Sequence, residues 1–158
     1  MRTSVFYLLL ALALIGARVA HGQTFSAPWT FNKNPYVQTA NTCDLPYQYM
    51  YFSEFGYVPS GPSAVYRVYN LPRFNLPSRF LPWHVTMTPY AADLSIFVCT
   101  AHSGNSVFGC VDASDNGYGL ANQVTVPGYA GQYYVIVTSN MFGEYPQCGA
   151  YMLSAAYY

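Results

Sequence analysis

From Trp83 to Thr88 the chain alternates strictly, with Trp83, Val85 and Met87 on one side and His84, Thr86 and Thr88 on the other. A period of two belongs to a strand with one face buried and one face wet. The same period recurs at Leu94, Ile96 and Val98, at Val124 and Val126, at Tyr133, Val135 and Val137, and at Tyr151, Leu153 and Ala155. Ala64 to Tyr69 alternates as well, and from Tyr47 to Phe52 aromatic residues fall on both sides of a further predicted strand. No stretch beyond residue 22 sustains a helical period, and Gly or Pro punctuates the chain every several residues, as at Pro59-Ser60-Gly61-Pro62. This pattern predicts an all-β fold, an antiparallel β-sandwich in a single domain. A chain that is 53% apolar and 8% charged can bury enough surface to offset its ordering entropy, so disorder is excluded.

Ahead of the strands, Arg2 precedes an unbroken apolar run from Val5 to Ile15, and Ala20 and Gly22 supply the small residues that a signal peptidase reads. Residues 1–22 therefore read as a secretory signal. The run is shorter than the about 20 residues needed to cross a bilayer, and no second run of its length follows, so no membrane span is expected. From Gln23 onwards Lys33, Arg67, Arg73 and Arg79 stand against Asp44, Glu54, Asp93, Asp112, Asp115 and Glu144, a net charge of −2. With no basic tract to neutralise phosphates, nucleic acid is excluded as a partner.

Export places Cys43, Cys99, Cys110 and Cys148 where disulfides persist. Three pairings are possible. Cys99 with Cys110 is favoured, because Ser103-Gly104-Asn105 between them reads as a loop joining adjacent strands, and Cys43 is then left with Cys148. Each bridge adds about 3 to 4 kcal/mol in the chain-entropy model. Zinc is the alternative for four Cys, but no C-x-x-C pair is present.

Residues 23–42 carry Trp29, Phe31 and Tyr36 without a clear period and read as an extended N-terminal arm laid on the domain of residues 43–158. The repeat Leu71-Pro72, Leu76-Pro77 and Leu81-Pro82 is a loop or an edge, since proline cannot donate to a ladder. It suggests a binding lip of Arg67, Arg73, Phe74, Arg79, Phe80, Trp83 and His84, with aromatic faces for sugar rings or prolines and Arg donors beside them. The same residues also suit a stiff surface connection whose Phe side chains tuck back onto the sandwich. Asp112, Ser114, Asp115 and Asn116 before Gly117, with Asp93 opening an earlier strand, offer the hard oxygens that calcium takes. They are equally what a hairpin turn demands. No other cofactor is expected. Of the 17 Tyr, those at Tyr118, Tyr129, Tyr157 and Tyr158 lie where a strand does not explain them, and they offer amphipathic contact area for glycans or neighbouring subunits.

Six segments follow one another in order: Asn41-Thr42-Cys43, Ser60-Gly61-Pro62-Ser63-Ala64-Val65-Tyr66, Ala92-Asp93-Leu94-Ser95-Ile96, Cys110-Val111-Asp112-Ala113-Ser114-Asp115-Asn116-Gly117, Ala130-Gly131-Gln132-Tyr133-Tyr134-Val135-Ile136-Val137 and Gly149-Ala150-Tyr151-Met152-Leu153. Their order and spacing, from Asn41 to Ala156, resemble the bacterial pre-peptidase C-terminal domain. The resemblance implies a small jelly-roll-like β-sandwich, a non-catalytic extracellular module for surface, substrate or partner contact, with calcium bound in some relatives.

Catalytic motifs are sparse. His84 and His102 are the histidines available as bases beyond the signal, and His102 and Ser103 point apart on an extended chain, so they form no dyad. Phosphate loops, dinucleotide glycine fingerprints and His-x-x-x-His metal pairs are not found. The expected function is a secreted, non-catalytic binding or adhesion module contacting an extracellular polysaccharide or protein surface. The alternative is a self-assembling subunit of a filament or matrix, a homo-polymer in which the N-terminal arm pairs with the next subunit's sheet edge. A hydrolase is the less supported third reading.

Overall fold

The computed structural model describes residues 24–59, 61–70, 81–129, 131–139 and 148–157. The signal segment, Arg73, Phe74, Arg79, Phe80 and Tyr158 lie outside the described residues. Among the described residues the chain forms β1 (Trp29–Thr30), β2 (Tyr36–Asn41), β3 (Tyr51–Phe52), β4 (Ala64–Asn70), β5 (Trp83–Pro89), β6 (Leu94–Ser103), β7 (Ser106–Ser114), β8 (Asn122–Val126), β9 (Gly131–Ser139) and β10 (Ala150–Tyr157). They build a six-stranded sheet ordered β1-β4-β9-β6-β7-β3 and a four-stranded sheet ordered β2-β10-β5-β8. The long pairings are all antiparallel, whereas the two-residue strands β1 and β3 join β4 and β7 in parallel. The fold is an all-β sandwich, as the alternation predicts.

The inward residues of both sheets form one continuous core. Tyr66, Val68, Leu94, Ile96, Val98, Tyr133, Val135 and Val137 from the larger sheet meet Val85, Met87, Val124, Val126, Tyr151 and Leu153 from the smaller. At its centre the hydroxyls of Tyr66 and Tyr151 bond across the gap at 2.6 Å, so each buried phenol is satisfied without water. Along β5 the burial alternates as the sequence pattern requires, with Trp83, Val85 and Met87 inside. Trp83 is only 6% exposed and packs on Tyr157 and Phe31 at 4.5 and 5.6 Å between ring centroids.

The N-terminal arm is part of the sandwich. β2 is the edge strand of the smaller sheet and pairs with β10 from Tyr36↔Ala155 to Asn41↔Ala150. Its sequence hides a period because Phe31 and Tyr36 both turn inward, stacked at 4.7 Å. Both expected disulfides are formed. Cys43 follows the end of β2 and Cys148 precedes the start of β10, so their bridge clamps this strand pair at one end. Cys99 and Cys110 sit opposite each other on β6 and β7, whose connecting turn at Gly104 has φ +55. Such a left-handed residue favours glycine.

Candidate binding site on the outer face of the six-stranded sheet

An ordinary sandwich leaves the outer face of each sheet to water, and here the larger sheet departs from that rule. Val65 on β4, Phe97 and Cys99 on β6, Val107 on β7, and Tyr134 and Ile136 on β9 point away from the main core, yet all are buried. Met50, Phe52 and Tyr57 cover them, so the segment from Tyr47 to Pro59 forms a third layer. Phe52 is fully buried, with ring centroids 4.5 Å from Phe97 and 5.6 Å from Tyr57. The Tyr51 N–H donates to the Asn105 carbonyl at 2.8 Å, and the Ser53 N–H to that of Val107 at 3.1 Å. The Tyr57 hydroxyl donates to the Ser139 carbonyl, and burial pushes its pKa up to about 12.

Between Tyr47 and Phe52 the layer is extended and alternates. Met50 and Phe52 face the sheet while Tyr47, Tyr49 and Tyr51 face out, 54, 52 and 39% exposed. Where this row meets the β6–β7 turn and residues 24–27, a surface cavity of about 370 Å³ opens, lined by Phe25, Gln48, Tyr49, Met50, His102 and Asn105 among others. One wall is aromatic. Phe25 stacks on His102 at 4.3 Å with an interplanar angle of 23°, and Tyr134 meets both rings edge-on at 5.3 Å. Two polar atoms of the lining, Gln48 Nε2 and His102 Nδ1, are buried without a hydrogen-bond partner. Each such atom costs about 1 to 3 kcal/mol until something pairs it.

Of the sequence-derived lip, Arg73, Phe74, Arg79 and Phe80 lie outside the described residues, and the three described members, Arg67, Trp83 and His84, lie on different faces of the sandwich. Arg67 lies on the outer face of the larger sheet, level with Tyr134 and with its guanidinium 4.9 Å from the Tyr69 ring centre. His84 lies on the exposed outer face of the smaller sheet, and Trp83 is in the core between them. Trp83 opens β5 at its first inward position, so its ring packs into the core.

The oxygen-rich segment closes a corner of the sandwich. Asp112 Oδ2 accepts the Thr125 N–H at 2.7 Å, and Ser114 Oγ accepts the Gln123 N–H at 3.4 Å, so β7 side chains cap the open edge of β8. Asn122 Oδ1 takes the Ser114 hydroxyl at 3.0 Å and the Asn116 N–H at 2.8 Å, while its amide reaches the Leu94 carbonyl. Among the described residues no group of three or more His, Cys, Asp or Glu side chains is placed to hold a metal ion. Asp115 turns instead toward Ser95 and the buried Asp93. Burial first, and then the Asp93 charge, push its carboxyl above the ordinary range against the hydrogen bond from the Gly117 N–H. An acid raised in the folded state gives most stability below its unfolded pKa and loses it as pH rises through the folded one. Asp115→Asn keeps the acceptor for Gly117 and should raise the thermal midpoint at pH 7, with the gain gone at pH 3; an equal gain at both pH values would show that charge is not the cause.

Phe25, Gln48, Tyr49, Met50 and His102 were not singled out as a site from the sequence. The outward alternation of Tyr47, Tyr49 and Tyr51 against Met50 and Phe52 is the signal that marks part of it. No helix among the described residues is long and apolar enough to cross a membrane. No family model and no curated protein sequence matches the chain. Among solved structures it is similar to a periplasmic inhibitor of g-type lysozyme, PliG from Aeromonas hydrophila, with 11% identity over 82% of this chain and 95% of that one, at a TM-score of 0.47. It is likewise similar to the pre-peptidase C-terminal domain of a collagenase from Bacillus anthracis, with 10% identity over 80% of this chain and 92% of that one, at a TM-score of 0.46.

Proposed function

We propose that the protein is a non-catalytic binding module of an oxidising compartment, extracellular or periplasmic, that contacts a glycan or protein surface through the outer face of its six-stranded sheet. The observation that carries this reading is the third layer: it covers the sheet's apolar outer face and presents a row of tyrosines beside an aromatic-walled cavity. Tyrosine gives large contact area at low entropic cost and a hydroxyl for polar partners. Both disulfides suit such a compartment. His84 and His102 lie on opposite outer faces of the sandwich, which argues against the two histidines serving one catalytic centre. The double variant Tyr49→Ser with Tyr51→Ser tests the reading in a retention assay on insoluble polysaccharides and immobilised extracellular proteins. Retention should fall about tenfold or more with the unfolding midpoint held, as for loss of two aromatic anchors. Unchanged retention on every surface that holds the parent protein would remove the face from the function.

A further inference from the structure

The cavity beside the tyrosine row has a chemistry of its own. Among the described residues no Asp, Glu, Lys or Arg lines it, so it suits an uncharged ligand. Gln48 Nε2 is a donor without an acceptor. His102 Nδ1 is a nitrogen without a partner, and in the neutral ring protonated at Nε2 it is an acceptor. The terminal torsion of Gln is broad, so the Gln48 amide can turn toward a bound molecule without moving the backbone, and the His102 ring can flip its nitrogens within the plane of its stack on Phe25. Beside them lies the apolar surface of the partly buried Phe25. The ligand group that answers an unpaired donor, an unpaired acceptor and an apolar wall together is an acetamido group, which carries a carbonyl, an N–H and a methyl.

We infer that this cavity holds an N-acetylated hexosamine unit of a neutral glycan, with Gln48 donating to the acetamido carbonyl, His102 accepting its N–H, and Phe25 receiving its methyl. The assignment rests on the proposed role as a binding module and names its ligand. A glycan is favoured over a peptide because Tyr49 lines the cavity and Tyr47 and Tyr51 continue its outward row. Alternate residues of an extended chain stand about 6.5 to 7 Å apart, which makes the row a track of separate aromatic faces for successive sugar rings.

The test is titration of the oxidised protein spanning residues 23–158 with tri-N-acetylchitotriose and with cellotriose, which has the same linkage without acetamido groups, followed by calorimetry and by NMR of the His102 ring. The acetylated sugar should bind about tenfold or more tighter, since the other leaves both polar atoms unpaired. The His102 ring signals should shift with the acetylated sugar and stay in place with cellotriose. Gln48→Leu should bring the two affinities together, and the NMR readout on the parent protein stands even if that variant does not fold. Equal affinities for the two sugars in the parent would overturn the acetamido assignment and leave the binding face intact. Competition by N-acetylglycinamide as effective as that of chitotriose would overturn the glycan assignment. Binding of neither sugar, with retention on other surfaces still sensitive to Tyr49 and Tyr51, would refute this inference alone; loss of that sensitivity would refute the module reading as well.

Discussion

Replacing Cys43 and Cys148 together by alanine should cost about 4 to 5 kcal/mol, against about 3 kcal/mol for replacing Cys99 and Cys110. The difference comes from loop length, since the first bridge closes 105 residues of separation and the second 11. A bridge stabilises chiefly by removing conformations from the unfolded chain, and the longer loop has more to remove. Denaturant unfolding of the two double variants reads the gap directly, and equal losses would refute the chain-entropy account here. The same variant bears on assembly. β2 is an uncharged edge strand held to β10 by six residue pairs and by this clamp, so the segment that could pair with a neighbour is engaged within its own chain. Without the clamp β2 can detach and exchange into another copy, a mode of β-augmentation. Light scattering should then show concentration-dependent growth for Cys43→Ala with Cys148→Ala and none for the other pair. Growth of the fully oxidised parent would mean that assembly uses a different edge.

Much of the sandwich was legible because it obeys the simplest rule of strands. β5, β8 and β10 each have one face on the core and one outside, and their burial alternates with their residue types. The pairing of Cys99 with Cys110 was legible for a related reason, since a short turn between strands brings them level. The third layer was not. β6 and β9 are buried on both faces along most of their length, so Phe97 and Ile136 read as exterior residues until something is known to cover them. The cover itself is irregular, with Met50, Phe52 and Tyr57 spaced by a turn at Gly56 rather than by a period. Asp112, Ser114 and Asn116 were ambiguous for another reason: a calcium loop, a hairpin turn and the cap of a neighbouring edge strand need the same short oxygen-bearing side chains. Only the three-dimensional neighbourhood of β7 and β8 reveals that Asp112 and Ser114 cap the edge of β8.

Phe52→Ala should cost about 3 to 5 kcal/mol, the range for removing a fully buried aromatic side chain. The form of the damage is more informative than its size. Phe52 belongs to the cluster outside the six-stranded sheet, while the inter-sheet core with its Tyr66–Tyr151 bond makes a separate cluster. β3 contributes only two parallel pairs to β7, too few to hold the third layer without its packing. Loss of Phe52 should therefore loosen the segment from Tyr47 to Pro59 first. Amide exchange there should rise to solvent-like rates while β5 and β10 stay protected, as expected for a sub-global opening. A dye that binds apolar surface should report the uncovered Val65, Phe97 and Ile136, and ligand retention should vanish with the displaced Gln48 and Tyr49. Val68→Ala is the matched control. It cuts into the inter-sheet core, lowers global stability, and should leave the tyrosine row and retention intact. Equal loss of protection in both layers of the Phe52 variant would mean that the cover and the sandwich unfold as one unit, and that the binding face is no more separable than any other part of the fold.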